Sequence, residues 1–164
     1  MLNNTKTILF ALIASIGFTT ANAAHPEHQD SHNNHQITIT DSWIRSAPTN
    51  APALGLFMEI NNNTNQDIKL VSAHTEGYKR IELHRTVDSN GMMKMIKQDF
   101  MPISAQGELH LKPGSWHIML IGPDRVPNMG EKIMISLKFN NGSTQIVHAV
   151  VRKGKMMMKH HSMH

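Results

Sequence analysis

From residue 37 the chain repeats one pattern: short runs in which apolar and polar side chains alternate, separated by clusters of Gly, Pro, Asn and Asp. The runs read ITITDSWIR, ALGLFMEINN, DIKLVSAHT, KRIELHRTV, MMKMIKQDF, GELHLKPG, WHIMLIGP, EKIMISLKF and TQIVHAVVR. A period of two puts every second side chain on one face of a strand, whereas an amphipathic helix needs apolar residues three and four apart. No segment carries the helical pattern convincingly, and the turn clusters NNNTNQD, DSNG, KPGS and NNGS fall between the runs. Nine strand-sized pieces of this kind predict an all-β fold over residues 37–152, an antiparallel β-sandwich or Greek-key barrel. Its buried faces would come from residues such as Ile39, Trp43, Leu56, Ile81, Leu83, Leu109, Leu111, Ile118, Leu120, Ile133, Ile135 and Val147.

The pattern stops at both ends. Residues 1–23 have the make-up of a cleavable signal peptide: Lys6, an apolar run from Ile8 to Phe18 too short to span a bilayer, and Ala21-Asn22-Ala23 as the small-x-small cleavage signal. Cleavage after Ala23 or Ala24 would deliver a secreted or periplasmic protein, with no membrane insertion afterwards. Residues 24–36 contain HPEHQDSHNNH, which offers nothing apolar to seed a core and reads as disordered. Residues 153–164 end in MMMKHHSMH and read as a flexible tail.

Strand parity orients the chemistry. In WHIML, Trp116, Ile118 and Leu120 share the core face, so His117 and Met119 project from the other. In RIELH, Ile81 and Leu83 turn inward and leave Glu82 and His84 outside. Met93 and Met95 share a face on the strand after the DSNG turn, which predicts a hairpin joining the His84 and Met95 strands. Four soft donors, His84, Met95, His117 and Met119, could therefore converge at one end of a sandwich.

Composition sharpens this picture. The chain has 13 Met, 12 His and no Cys in 164 residues, with 16 Lys and Arg against 12 Asp and Glu. Removing residues 1–23 takes away one Lys and no acid, so the formal charge falls from +4 to +3. The basic residues are scattered, which argues against nucleic acid or an anionic membrane as partner. Met is commonly a core gap-filler, and Met58 and Met134 in apolar runs fit that role, but a polar terminus rich in Met and His does not. Without Cys there is no lipid attachment through a thiol and no blue-copper centre, which requires a thiolate beside two imidazoles.

Two thioethers and two imidazoles form a neutral, soft donor set that suits Cu(I) and suits Zn, Mg or Ca poorly. Taken singly, His84 would be a solvated strand histidine and Met95 packing; the set of four carries the reading. The spacing His84, ten residues, Met95, twenty-one residues, His117, one residue, Met119 resembles the H-x10-M-x21-H-x-M signature of the periplasmic copper chaperones called PCuAC. The flanks IELH, GMMKM, LHLKPGSWHIML and the run from Gly130 to Phe139 are similar to that family as well, so the likeness covers about Trp43 to Val151. The resemblance implies a cupredoxin-like β-sandwich and Cu(I) held by His84, Met95, His117 and Met119. It also implies delivery of copper to the dinuclear centre of cytochrome c oxidase subunit II, alongside or through a Sco-type thiol protein. Some members carry Met directly after the first His, where this chain has Arg85.

The remaining His and Met residues divide by position. His74, His110 and His148 lie in strand-like runs without a sulfur partner and are expected at the surface or in the core. Met92, Met93 and Met101 would line the mouth of the site. In the front segment His25, His28, His32 and His35 favour Cu(II), Ni(II) or Zn(II). In the tail Met156, Met157, Met158 and Met163 with His160, His161 and His164 could hold Cu(I) or Cu(II) as an auxiliary store. The expected molecule is a monomeric periplasmic carrier. A copper or zinc buffer serving metal resistance, with no dedicated acceptor, is the alternative. No nucleophile with an adjacent base, phosphate loop or paired carboxylates suggests catalysis.

Overall fold

The computed structural model describes residues 36–154. The expected signal peptide over residues 1–23, the four His of the front segment and the Met and His of the tail lie outside the described residues. Ten strands follow one another: β1 (Ile37–Arg45), β2 (Ala53–Asn62), β3 (Ile68–His74), β4 (Tyr78–Ser89), β5 (Met92–Gln98), β6 (Met101–Ile103), β7 (Glu108–Leu111), β8 (Trp116–Pro123), β9 (Lys132–Phe139) and β10 (Thr144–Arg152). Nine were expected; the tenth is the three-residue β6. No helix among the described residues is long and apolar enough to cross a membrane.

The strands form one hydrogen-bonded sheet in the order β5-β4-β8-β7-β2-β1-β10-β9-β3-β6, with β8 also paired to β2, and the sheet folds over a single core. Most pairings are antiparallel, but β1 and β10 run parallel, Trp43 opposite Val150 and Ile44 opposite Val151. First and last strands can pair this way because no hairpin has to join them. Both sheet edges are blunted: β5 carries Lys94 and Lys97, and β6 carries Pro102, which an edge strand tolerates.

Ile44, Leu56, Ile60, Leu83, Ile118, Leu120, Ile135 and Leu137 fill the interior, each fully covered or nearly so. Burying such a side chain contributes about 1.5–3 kcal/mol. Asn62 is buried among them and fully satisfied. Its Nδ2 donates to the Gln66 and Ser104 carbonyls at 2.8 and 2.9 Å, and its Oδ1 accepts from the Thr64 N–H and hydroxyl.

Three expectations about packing are corrected. Simple alternation puts Ile39 and Trp43 on one face, yet a bulge between Thr40 and Trp43, with Asp41 at φ 49°, shifts the phase of β1. Ile44 therefore enters the core, while Trp43, buried as expected, lies on the outer face against Phe57, ring centroids 4.6 Å apart. Met134 is not a core filler: it shares the outer face of β9 with Lys132 and Ser136 and is 60% exposed. Met101 is fully buried in β6, paired with Leu70, and lines no site mouth.

Candidate metal centre

Register brings the two histidines together. In the antiparallel pairing of β4 with β8, His84 lies directly opposite His117, and Glu82 opposite Met119. Residues opposite one another share a face, so all four sit on the outer side of the sheet. The imidazole centroids are 5.8 Å apart. The hairpin expected at DSNG forms, with Asn90 and Gly91 both at positive φ (56° and 77°), as a two-residue turn of the I′ kind requires. It sets Met95 opposite Thr86 on that same outer face.

Each imidazole has one nitrogen occupied and one free. His84 Nε2 lies 2.9 Å from Glu82 Oε2, and His117 Nδ1 lies 2.9 Å from the Ser115 carbonyl. A carboxylate and a carbonyl only accept, so each of those nitrogens carries the proton when its ring is neutral. The remaining nitrogens, His84 Nδ1 and His117 Nε2, are buried without a hydrogen-bond partner. Buried polar atoms are rarely left so. A nitrogen held as a bare lone pair by a bond at the other end of its ring is the usual arrangement of a metal-binding histidine.

The supporting groups are held in turn. Glu82 Oε1 also meets Arg80 Nε at 3.1 Å and Lys97 Nζ at 3.4 Å. The bond from His84, followed by these cations, holds the Glu82 carboxyl below the usual carboxylate range, so it is ionised and acts as an acceptor. Ser115 closes the KPGS turn, its N–H donating to the Lys112 carbonyl at 3.0 Å, and its own carbonyl accepts from the Thr86 N–H at 3.0 Å as well as from His117. Burial pushes the His117 imidazole pKa below its ordinary value, with the nearby His84 adding to the effect. Proton competition for its free nitrogen is correspondingly weak.

Beside this pair lies a cavity of about 210 Å³ lined by Arg45, Gly55, Phe57, Thr86, Met95, His117 and Met119, with Pro113 and Gly114 at its rim. Met95 is 63% exposed and His117 only 4%, so the cavity grades from solvent to interior. His84 does not line it, and adjoins it through His117. Gly55 lies opposite Met119 in the β2–β8 pairing, and a Cβ there would stand 2.8 Å from Phe57 Cζ. Glycine thus lets the Phe57 ring lie against β2 beside His117, centroids 6.4 Å apart.

Other candidates are placed elsewhere or serve other ends. Met92 and Met93 are exposed at the end of the β4–β5 hairpin, Met93 on the same face as Met95. His110 is exposed between Glu108 and Glu59; His74 and His148 are exposed on β3 and β10. A larger hollow of about 390 Å³ beside Tyr78, Asp124 and Arg125 has no His or Met in its wall. Among the described residues no three of His, Asp and Glu converge on a metal position. Alternation already put Glu82 on the outer face, but its bond to His84, the Ser115 carbonyl and the Gly55–Phe57 contact depend on three-dimensional register.

Comparison with known proteins gives a consistent outcome. The model of the LpqE-like family, described as "Putative lipoprotein LpqE-like", matches residues 37–151. A "Putative lipoprotein" of Leifsonia xyli subsp. xyli is 32% identical over 118 residues, 71% of this chain and 69% of that one. The solution structure of the Cu(I) form of DR1885 from Deinococcus radiodurans is 32% identical, with a TM-score of 0.59, over 70% of this chain and 76% of that one. The copper-bound PCuAC domain from PmoF2 superposes with a TM-score of 0.62 at 16% identity, over 73% of this chain and 94% of that domain. The fold is thus that of PCuAC domains, a cupredoxin-like β-sandwich.

Proposed function

The chain belongs to the LpqE-like family, and from that premise we propose that it is an extracytoplasmic Cu(I) carrier that binds its cargo through His84 Nδ1, His117 Nε2, Met95 and Met119. One observation supports this most: two facing imidazoles, each with a buried nitrogen lacking a partner, stand beside a cavity walled by two thioethers. The donor chemistry fits the ion. A neutral set of two nitrogens and two sulfurs suits Cu(I) and leaves the complex singly charged. The kinship with DR1885, whose Cu(I) form has been solved, points the same way.

The mechanism is ligand exchange without catalysis. Met95 is the most exposed of the four donors and is the one an acceptor reaches first. Incoming thiolates, softer and anionic, displace the thioethers and then the imidazoles, so copper is never free. The acceptor is the dinuclear copper centre of cytochrome c oxidase subunit II, a Sco-type thiol protein, or both in turn, and the carrier works as a periplasmic monomer. The tail is an auxiliary copper store. Gly154 sits against Arg45 and Trp43, whose nearest side-chain atoms lie 3.0 and 3.4 Å from where its Cβ would be, and Arg45 also lines the cavity. The tail thus begins at a residue close to the main site, and a tethered second binder there would raise the local copper concentration.

Competition titration of Cu(I) against a chelator of known affinity, on the full chain and on His117→Ala, tests the site. Loss of tight binding in the variant is the expected result, and equal affinity would overturn the assignment. Transfer of Cu(I) to an isolated oxidase subunit II domain separates a carrier from a buffer.

A further inference from the structure

Three donors that the site on β4, β5 and β8 leaves unused stand together on another part of the outer face. Met134 on β9 is 60% exposed, although it sits in the middle of a strand. It lies directly opposite His148 of β10, and side chains so paired have Cβ atoms about 4.5–5.5 Å apart. On the other flank of β9, His74 of β3 is opposite Ser136. That places His74 diagonally across from Met134 on the same face, about 7–8 Å away and within reach of a long side chain. The thioether thus has an exposed imidazole on each side.

Two further observations point to a ligand. Unlike His110, which is held between two carboxylates, neither His74 nor His148 has a hydrogen-bond or ion-pair partner among the described residues. His74 and Met134 also line a hollow of about 340 Å³ with Glu76, Lys132, Ser136 and Ile146, and His148 lies outside its wall. Ile146, 62% exposed and next to His148 on the same face, gives it an apolar wall. Counted along the sheet, His148 lies three strand spacings from His117, β8 to β2 to β1 to β10, or about 14 Å, and Met134 and His74 lie one and two strands further on. The cluster is a separate place on the molecule.

We infer that His74, Met134 and His148 form a second site for a monovalent soft cation, Cu(I) or Ag(I). Two imidazoles and one thioether make a neutral three-donor set of the kind such ions accept. The three side chains are exposed and must be ordered on binding, which makes this site weaker than the one at His117. Its role is to take up an ion when the main site is full.

Titration of the full chain with Ag(I), read at isotope-labelled methionine ε-methyl groups, tests this residue by residue. Once the Met95 and Met119 signals stop moving, further Ag(I) should shift the Met134 signal. In the double variant His74→Asn/His148→Asn that shift should vanish or need about tenfold more Ag(I), with Met95 and Met119 responding as before. Both positions are exposed, so folding is preserved. A Met134 signal unmoved at saturating Ag(I), or moving at the same Ag(I) concentration in the double variant, overturns the inference.

Discussion

His84 and His117 face each other across the β4–β8 pairing with opposite ends of their rings tied down, Nε2 of one by the Glu82 carboxylate and Nδ1 of the other by the Ser115 carbonyl. The consequence is a pair of unlike free nitrogens, Nδ1 and Nε2, both buried, on rings whose centroids are 5.8 Å apart. Neither tautomer is left to chance, and the metal-binding reading depends on that.

Glu82 is therefore expected to govern affinity without touching the ion. Removing an outer partner of a metal-binding histidine costs about 10–100-fold in affinity. Glu82→Ala should weaken Cu(I) binding by that order and let the proton of His84 redistribute between Nδ1 and Nε2, visible in nitrogen NMR of the ring. Unchanged affinity and an unchanged tautomer would show that Glu82 serves only its ion pairs with Arg80 and Lys97.

Gly55 is expected to be intolerant of a side chain. A methyl group there meets the Phe57 ring at 2.8 Å, and forcing such an overlap costs about 1–3 kcal/mol. Gly55→Ala should lower the thermal midpoint and, by displacing the ring from beside His117, weaken Cu(I) retention. The double variant Gly55→Ala/Phe57→Leu should recover part of the stability.

Asn62 offers the opposite separation, stability without function. It ties the turn after β2 to the end of β6 through both ends of its amide. Asn62→Ala leaves those groups unpaired, at about 1–3 kcal/mol for each one that stays buried. Urea unfolding should register the loss, while the Cu(I) affinity of the folded protein stays the same.

Acid sensitivity has one identifiable source away from the site. Arg125 and the Asn128 N–H hold the Glu131 carboxyl down from 4.5 to about 2. An acid with a depressed folded pKa contributes stability that is complete above its unfolded value and is lost as pH falls toward the folded one. Wild-type stability should therefore drop between pH 4.5 and about 2 more than that of Glu131→Gln. Parallel pH profiles in urea unfolding would contradict this.

Much of this was legible along the chain because a period of two is a strong constraint. Parity alone oriented His84, Met95, His117 and Met119, and DSNG announced its hairpin. It also put Met134 with Lys132 and Ser136, on the side away from Ile135 and Leu137; the general habit of Met as filler hid that. Trp43 is buried as expected, but on the outer face beside Phe57, because a bulge at Asp41 breaks the alternation. β6 escaped notice because three residues with a central proline carry too little pattern. The tautomers could not be read at all, since they depend on a carboxylate two residues away along β4 and on a carbonyl whose position is set by the KPGS turn.

The most direct test is NMR of the full chain given one equivalent of Cu(I) under reducing conditions. His84 Nδ1, His117 Nε2 and the ε-methyls of Met95 and Met119 should all change together, with His84 Nε2 and His117 Nδ1 keeping their protons. If that first equivalent leaves these four side chains unchanged and appears only at residues 155–164, the four-donor site is wrong.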